Sequence, residues 1–233
     1  PLCVGGSVEI DVDGVSRRVG VTRIQLEEDV GKNMNFQNTS GVDFNRAGVP
    51  LMEIVSEPEI NSPEEAFAYL QVLKQILLYA GVSDCNLEEG NVRCDVNCSV
   101  RPESRKEFGT KTEIKNLNTF KGVLNALKHE IPRQIEVLES GGKISQETRR
   151  WDDDVGVTIA MRSKEYAHDY RYFAEPDLVP VITPLERIEE MRMALPELPR
   201  VRRERFVKEY GIPEYDAGVL TADFAVAEYF EQA

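Results

Sequence analysis

Two acidic motifs in the first quarter of the chain hold the side chains best suited to chemistry. The first is the run Glu-Glu-Asp at 27–29, which ends a strand-like stretch and is followed closely by a glycine and a lysine. The second is Glu53, in the middle of the apolar, strand-like stretch 50–58. A carboxylate on an apolar strand is costly unless it is paired or binds a cation. We therefore expect Glu53 to face the 27–29 run across a site for a divalent metal ion and the phosphates of a nucleotide.

Each motif also has a simpler interpretation. The acidic run can be a solvated turn, and Glu53 can be the partner of a salt bridge. Taken alone, either motif favours that simpler interpretation. The metal hypothesis depends on the surroundings of Glu53, which shares its strand face with Leu51 and Val55. An ionised carboxylate there would be strongly disfavoured without a cation.

Composition sets the broad class. The 233 residues are 41% hydrophobic, which allows a large domain with a real core, and the net charge of -13 argues against nucleic-acid binding by the whole surface. No stretch is apolar enough to cross a membrane, and we expect no signal peptide. Four cysteines without CxxC spacing indicate a reducing compartment and neither zinc nor disulfides. The start at Pro1 and the end at Ala233 within a helical pattern suggest a piece of a longer protein.

Several elements can be predicted around these motifs. Alternation over 8–12 followed by Asp13-Gly14 predicts a hairpin whose return strand delivers the acidic run. A helix is predicted over 62–80, with Ser62 as N-cap and Glu65 completing a capping box. A second helix is predicted over 119–140, with a kink or break near 130–131 because of Pro132.

Two further strands, 91–101 and 110–117, each have one polar face. The polar residues are Arg93, Asp95, Asn97, Ser99 and Arg101 on the first strand and Lys111, Glu113 and Lys115 on the second. Such a face can bind a ligand or can simply be solvated. Strands are also predicted at 144–151 and 157–163.

Together these patterns predict an α+β fold. One antiparallel sheet contains the strands, the two long helices cover one of its faces, and the other face stays open as a cradle. From about residue 183 the pattern becomes helical, over 184–195, 199–210 and 221–231. We therefore place a cradle domain at 1–182 and a helical extension at 183–233. The arginines clustered in 199–210 are either a solvated face or an RNA-phosphate contact.

Long motifs along nearly the whole chain give it a family resemblance. The sequence resembles the B subunit of tRNA-dependent aspartyl/glutamyl-tRNA(Asn/Gln) amidotransferases, the GatB/GatE family. The matching stretches are LEEDVGK (26–32), DFNRAGVPLMEIVSEPEI (43–60), SDCNLEEGNVRCDVNCSVRP (83–102), GTKTEIKNLNTF (109–120), QETRRWD (146–152), MRSKEYAHDYRYFAEPDLVPV (161–181), LPELP (195–199) and YGIPEYDAGVLT (210–221).

The resemblance implies a cradle of glutamine-synthetase-like type and an ATP- and Mg²⁺-dependent ligase. Such a protein phosphorylates glutamate or aspartate mis-loaded on tRNA(Gln) or tRNA(Asn). Ammonia from a partner amidase (the A subunit), in a heterotrimer with a small C subunit, then replaces the phosphate. The expected location is the bacterial cytoplasm, or a mitochondrion or plastid in a eukaryote. The alternatives are a tRNA-docking or scaffold module of the same complex, and an ATP-dependent enzyme acting on a small amino acid.

The resemblance also assigns residues. It implies that Glu28 and Glu53 bind magnesium, with a histidine that lies before Pro1 in the family. Glu27, Glu88, Glu89 and Asp95 match acidic positions of the motifs. We include Glu27 among the metal ligands, and the predicted catalytic residues are Glu28, Glu53, Arg93 and Asp95. Apart from the resemblance, charge alone makes five basic residues candidates for holding phosphates, and each can equally be a surface ion-pair partner: Lys111, Lys115, Arg162, Lys164 and Arg171. Asn97, on the polar strand face, is the sixth candidate for the nucleotide. The chain departs from the family pattern at Gln25, often histidine there, and at Ala174, where proline is usual.

Overall fold

The computed structural model describes residues 1–86, 90–161, 176–177 and 179–233. The chain divides into two compact units, Pro1–Val72 and Leu73–Ala233. This division differs from the predicted boundary at 182/183, which stays a prediction.

The first unit is built on one long strand. The strands are β1 (Cys3–Val4), β2 (Ser7–Val12), β3 (Val15–Glu28), β4 (Lys32–Asn35), β5 (Ser40–Asp43) and β6 (Pro50–Ser56). β3 pairs antiparallel with β1, β2 and β6, whereas β4 and β5 form a separate two-stranded sheet. The predicted hairpin is confirmed, with Asp13 and Gly14 at φ 51° and 76° in its turn. The buried side chains of β2 and β3 are Val8, Ile10, Val19 and Val21.

The first helix, α1 (Pro63–Tyr79), begins as the sequence predicts. The backbone N–H of Glu65 donates to the Ser62 hydroxyl at 3.1 Å. The Glu65 carboxylate in turn accepts the N–H of Asn61 at 2.7 Å, one residue earlier than in a standard capping box. Gly81, at φ 64°, follows the end of the helix.

The second unit contains a four-stranded sheet with the order β10-β9-β8-β7. Its strands are β7 (Cys94–Cys98), β8 (Thr112–Leu117), β9 (Glu147–Asp152) and β10 (Val157–Ala160). The helix α2 (Phe120–Glu139) connects β8 to β9, and these two strands are parallel. The prediction of a purely antiparallel sheet was therefore wrong at this pair, because a 20-residue helical crossover returns the chain in the same direction.

The predicted single sheet is also replaced by separate ones. β2, β3 and β6 belong to one four-stranded sheet and β7–β10 to another. The fold class is α+β with mainly antiparallel pairing. No helix among the described residues is long and apolar enough to cross a membrane.

α2 packs against β7, β8 and β10 and continues through Pro132, so of the predicted kink or break the break is absent. On either side of the proline, Glu130 and Gln134 are fully buried and hydrogen-bond to groups of the sheet. These contacts hold the helix together where proline removes one backbone donor.

After residue 183 the chain is helical, as predicted: α3 (Leu185–Ala194), α4 (Pro199–Tyr210), α5 (Glu214–Leu220) and α6 (Phe224–Gln232). The short α5 was not predicted. Phe206, Ala217 and Ala227 form the small core of this region. The Tyr79 hydroxyl donates to the Thr221 carbonyl at 2.8 Å, which ties the end of α1 to these helices. In the arginine cluster, Arg202 is buried and forms salt bridges with Glu228 and Glu231, so this side chain stabilises the helices.

Candidate functional site

Glu53 lies directly opposite Gln25 on neighbouring antiparallel strands. The Gln25 amide Nε2 donates to Glu53 Oε2 at 2.5 Å and to Glu27 Oε1 at 2.8 Å. Gln25 and Glu27 are two residues apart on β3, so their side chains lie on the same face of the strand. One amide therefore joins the carboxylates of two of the predicted metal ligands, Glu27 and Glu53.

Arg23 extends this line of side chains along β3. Its Nε donates to Gln25 Oε1 at 3.1 Å. Arg23 and Gln25 are half-buried, whereas both carboxylates are exposed. The result is an ordered polar row on an accessible sheet face, which we call the β3–β6 carboxylate site and define as Arg23, Gln25, Glu27 and Glu53.

Glu28 lies on the opposite face of the sheet. It pairs with Pro50, while Gln25 pairs with Glu53 in the same continuous register. Because successive residues of a strand point to opposite faces, Glu28 is directed away from the face that carries Glu27 and Glu53. The structure thus brings Glu27 to Glu53 and does not bring Glu28 to Glu53.

The third residue of the acidic run, Asp29, has a structural role. Its side chain is buried, and Oδ2 pairs with Arg46 Nε at 2.8 Å. Its backbone N–H donates to the Val49 carbonyl, and its carbonyl accepts the N–H of Gly48. These contacts hold the 46–49 loop, which precedes β6, against the end of β3.

The surroundings of Glu53 differ from the expected dry, apolar surface. Glu53 is exposed, and its neighbours Leu51 and Val55 are only half-buried, because nothing in the described part of the fold covers this strand face completely. Desolvation therefore does not require a cation at Glu53, and that part of the prediction was wrong. What supports a ligand role is the ordered contact with Gln25 and the proximity of a second carboxylate.

The donor set suits a hard cation. Magnesium prefers oxygen ligands, often one or two carboxylates completed by water and phosphate oxygens. Glu27 and Glu53 supply two carboxylates, and each has one oxygen that Gln25 does not contact. Across the described residues, no three His, Cys, Asp or Glu side chains converge as a complete metal centre. The site fits an ion held partly by substrate and water.

A second polar face lies on the β7–β10 sheet. Lys115 Nζ contacts Asp95 Oδ2 at 3.0 Å and Glu113 Oε1 at 3.4 Å, and the Thr148 hydroxyl donates to Glu113 Oε2 at 2.8 Å. Burial lowers the pKa of Lys115, but the hydrogen bonds and charges of the two carboxylates outweigh it, and its pKa is raised. Lys115 is therefore a charged side chain already engaged by two acids.

The other predicted nucleotide contacts are more scattered. Asn97 is exposed on β7, opposite Glu113 of β8. Arg93 and Lys111 are exposed and lie immediately before β7 and β8. Three of the predicted contacts, Arg162, Lys164 and Arg171, lie outside the described residues, as do Glu88 and Glu89.

Beneath the other face of this sheet lies a buried carboxylate that the sequence analysis did not identify. Glu130, on α2, accepts from Arg133 at 2.6 and 2.9 Å, from Gln134 at 2.8 Å and from the Thr158 hydroxyl at 2.8 Å. Arg149 of β9 approaches it at 3.6 Å. Burial raises the pKa of Glu130, but the three hydrogen-bond donors and the charge of Arg133 outweigh it, and the pKa is lowered.

Two features of the sequence could have indicated these residues. Arg23, Gln25 and Glu27 are each two residues apart, which is the spacing of side chains on one face of a strand. Glu130 and Gln134 have the i, i+4 spacing of one helix face, on the same side as the apolar residues Val123 and Leu127.

Comparisons with known proteins identify the family. The family model for the GatB/GatE catalytic domain matches residues 1–189. The chain is 58% identical over 234 residues to the B subunit of the aspartyl/glutamyl-tRNA(Asn/Gln) amidotransferase of Caldicellulosiruptor saccharolyticus, covering 100% of this chain and 49% of that protein. The corresponding B subunits of Carboxydothermus hydrogenoformans and Methylacidiphilum infernorum are 58% and 54% identical, each covering 100% of this chain and 50% of the relative. The chain thus spans about half the length of these relatives. It belongs to the GatB/GatE catalytic domain family.

Proposed function

We propose that this chain carries the kinase and transamidase part of an aspartyl/glutamyl-tRNA(Asn/Gln) amidotransferase. Its substrate is glutamate on tRNA(Gln) or aspartate on tRNA(Asn). The observation that carries the proposal is the β3–β6 carboxylate site, found in a chain whose relatives are named as the B subunit of such an enzyme. Two adjacent carboxylates on an open sheet face suit the binding of a cation together with a polyphosphate.

The chemistry follows from the poor reactivity of a carboxylate toward ammonia. Transfer of the γ-phosphoryl group of ATP to the side-chain carboxylate gives an acyl phosphate and ADP. Ammonia then attacks the acyl carbon, phosphate leaves, and the amide remains on the tRNA. Phosphoryl transfer needs positioning and charge neutralisation more than covalent help from the protein.

Magnesium, when bound, neutralises phosphate charge at the β3–β6 carboxylate site. Both the family resemblance and the geometry of the site select Glu53 as a magnesium ligand. The second carboxylate is Glu27 by the strand register, or Glu28 by the resemblance. Gln25 orients the two carboxylates that share its face.

The second polar face has a supporting role in this proposal. Asn97, Lys111 and Arg93 are exposed and accessible to anionic groups of ATP or tRNA. Lys115 serves instead to hold Asp95 and Glu113 in place. Ammonia comes from glutamine hydrolysis by an amidase subunit, with a small third subunit completing the complex.

The test uses the full-length protein assembled with its partner subunits. Glu53→Gln keeps the side-chain shape but removes the charge, so transfer of ³²P from [γ-³²P]ATP to Glu-tRNA(Gln) should be abolished. Glutamine hydrolysis by the amidase should persist. Glu9→Gln, at an exposed position of β2, is the matched control and should phosphorylate normally. Normal phosphorylation by Glu53→Gln would refute the proposal.

The same assay separates the two candidates for the second ligand. If the register determines the site, Glu27→Gln should lose phosphorylation and Glu28→Gln should retain it. The reverse result would show that the resemblance is the better guide to the second ligand.

The alternative is a docking or scaffold role for this part of the protein. Glu53 is exposed, so the cost of burying a carboxylate gives no argument against a docking role. A docking role predicts that Glu53→Gln phosphorylates mischarged tRNA at the normal rate and only binds it less tightly.

A further inference from the structure

Two exposed phenylalanine rings lie on residues 31–46, which we call the β4–β5 ribbon. In the described part of the chain β4 and β5 pair only with each other, and Phe36 and Phe44 are 60% and 70% exposed. Further exposed apolar side chains on the ribbon and at its base extend this surface: Val30, Met34, Val42 and Val49. Side chains that remain so exposed add little to folding stability, whereas a contiguous exposed apolar surface typically marks a binding site.

Each ring lies against the backbone of a glycine. A Cβ at Gly31 would lie 3.1 Å from a ring carbon of Phe44, and a Cβ at Gly41 would lie 3.1 Å from a ring carbon of Phe36. A larger residue at either position would displace the ring. The glycines thus allow each ring to lie close to the ribbon while most of its surface remains accessible.

The face that carries Phe44 also carries amide side chains. Asn33 pairs with Val42, and Asn35 pairs with Ser40, so these residues share one face. Phe44 belongs to the same face, because it lies two residues beyond Val42. The Ser40 hydroxyl donates to Asn35 Oδ1 at 3.2 Å, so the Asn35 NH₂ group can donate to a ligand. Surfaces that bind single-stranded nucleic acid combine such groups, because bases stack on the ring and polar side chains hydrogen-bond to base edges.

The charge of the ribbon favours the same kind of ligand. Residues 31–46 contain one acidic residue, Asp43, and two basic ones, Lys32 and Arg46, in a chain with 41 acidic residues. A phosphate backbone can therefore approach the ribbon without the repulsion expected over most of the surface.

The ribbon also lies beside the β3–β6 carboxylate site. It is the connection between β3 and β6, and the Asp29–Arg46 salt bridge closes its base. Gly31, which the Phe44 ring contacts, follows Glu28 by three residues, at most about 11 Å of chain. In the proposed reaction the side chain to be phosphorylated is esterified to the 3′ end of the tRNA. The bases that precede this ester must then lie close to the carboxylates.

We propose that the Phe44 face of the ribbon, formed by Phe44, Asn33 and Asn35, binds the unpaired 3′ end of the tRNA and stacks one of its bases on the Phe44 ring. This inference rests on the proposed function and assigns it a binding surface for the reacting end of the substrate.

The experiment is a thermodynamic cycle on tRNA binding, measured with the full-length protein assembled with its partner subunits. Filter binding gives the dissociation constants of tRNA(Gln) and of the same tRNA without its unpaired 3′ nucleotides, at one fixed salt concentration. Phe44→Ala should weaken binding of the intact tRNA by about 5- to 150-fold, which corresponds to the loss of one base–aromatic stack. Binding of the truncated tRNA should not change, because it lacks the base that stacks.

Phe36→Ala is the matched control. It removes a similarly exposed ring that lies over Gly41, on the opposite face of the same ribbon, and it should bind both tRNAs as the wild type does. Phe44→Tyr keeps an aromatic ring and should retain tight binding of the intact tRNA. All three variants should keep the wild-type thermal unfolding midpoint, since both rings are exposed.

The outcomes separate this inference from the proposed function. If Phe44→Ala leaves binding unchanged, or weakens binding of both tRNAs equally, the inference is wrong and the proposed function stands. Impaired assembly of Phe44→Ala with the amidase subunit would make the ribbon a subunit interface and would also overturn the inference. Weaker ATP binding with unchanged tRNA binding would do the same, because the ring would then stack on the adenine of ATP. If the assembled wild-type enzyme binds no tRNA, the proposed function itself is wrong.

Discussion

Replacing Glu130 by glutamine should strongly destabilise the second unit. The Glu130 side chain has no solvent exposure and accepts hydrogen bonds from Arg133, Gln134 and Thr158. Glutamine has the same shape, so the substitution creates no cavity. The substitution does replace one carboxylate oxygen, which accepted hydrogen bonds, by an NH₂ group, so at least one hydrogen-bond donor then faces another donor.

The magnitude follows from the exposure of the partners. Arg149 is 13% exposed and Arg133 is 23% exposed, so neither guanidinium is freely hydrated when its carboxylate is lost. Removing one partner of a buried ion pair costs about 3–5 kcal/mol. Because water can reach part of Arg133, we expect the lower end, about 3 kcal/mol.

The assay is urea unfolding followed by the fluorescence of Trp151, the one tryptophan of the chain, which is buried on β9. Glu139→Gln is the matched control, because this exposed glutamate lies on the same helix. The control should change the free energy of unfolding by less than about 0.5 kcal/mol.

The effect should also depend on pH. The pKa of Glu130 in the folded chain lies below its ordinary value of 4.5, so its charge contributes fully to stability above pH 4.5. This contribution is lost as the pH falls from 4.5 through the folded pKa, and the difference between wild type and variant should shrink there. A loss below about 1 kcal/mol at pH 7, or a difference that grows in acid, would refute the reasoning.

Two further predictions concern α2 and the sheet beneath it. Burial, with added repulsion from Asp95, raises the pKa of the Cys94 thiol to about 12. Burial, with added repulsion from Glu130, raises the pKa of the Cys98 thiol to about 11. Iodoacetamide at pH 8 should therefore label the exposed Cys3 well before Cys94 or Cys98. Equal labelling rates by mass spectrometry would contradict this. Pro132→Ala should raise the free energy of unfolding by about 1–3 kcal/mol, because it restores a backbone N–H inside α2. A lower free energy of unfolding in urea would contradict this and show that packing favours the proline.

Local signals in the sequence predicted local structure well. The Asp13-Gly14 turn needs positive φ at both positions, and few dipeptides tolerate this. The start of α1 was equally clear, because the Ser62 and Glu65 side chains complete the hydrogen bonds of that helix end.

Strand direction could not be obtained in the same way. Alternation of polar and apolar residues reports that one face of a strand is exposed, and it carries no information on whether neighbours run parallel. β8 and β9 are parallel yet have a polar, accessible face, which departs from the usual burial of parallel sheets. The 20-residue helix between them was the better indicator.

The site shows the same limit at the scale of one residue. The residue pattern identified Glu53 and the acidic run, and the family resemblance chose Glu28 as the partner of Glu53, but the pattern alone could not distinguish Glu28 from Glu27. That choice depends on the pairing register of β3 and β6, and a shift of one residue exchanges the two faces. The exposure of Glu53 could not be predicted from the sequence either, because it depends on which parts of the fold cover the strand.

The central claim is that Glu53 and one carboxylate of the 27–28 pair share one divalent cation. The most direct measurement is the anomalous difference density of Mn²⁺ in crystals of the full-length protein. We expect one peak within coordination distance of a carboxylate oxygen of Glu53 and of either Glu27 or Glu28, roughly 2.1 Å for a magnesium-like ion. A bound ion with no contact to Glu53 would contradict it.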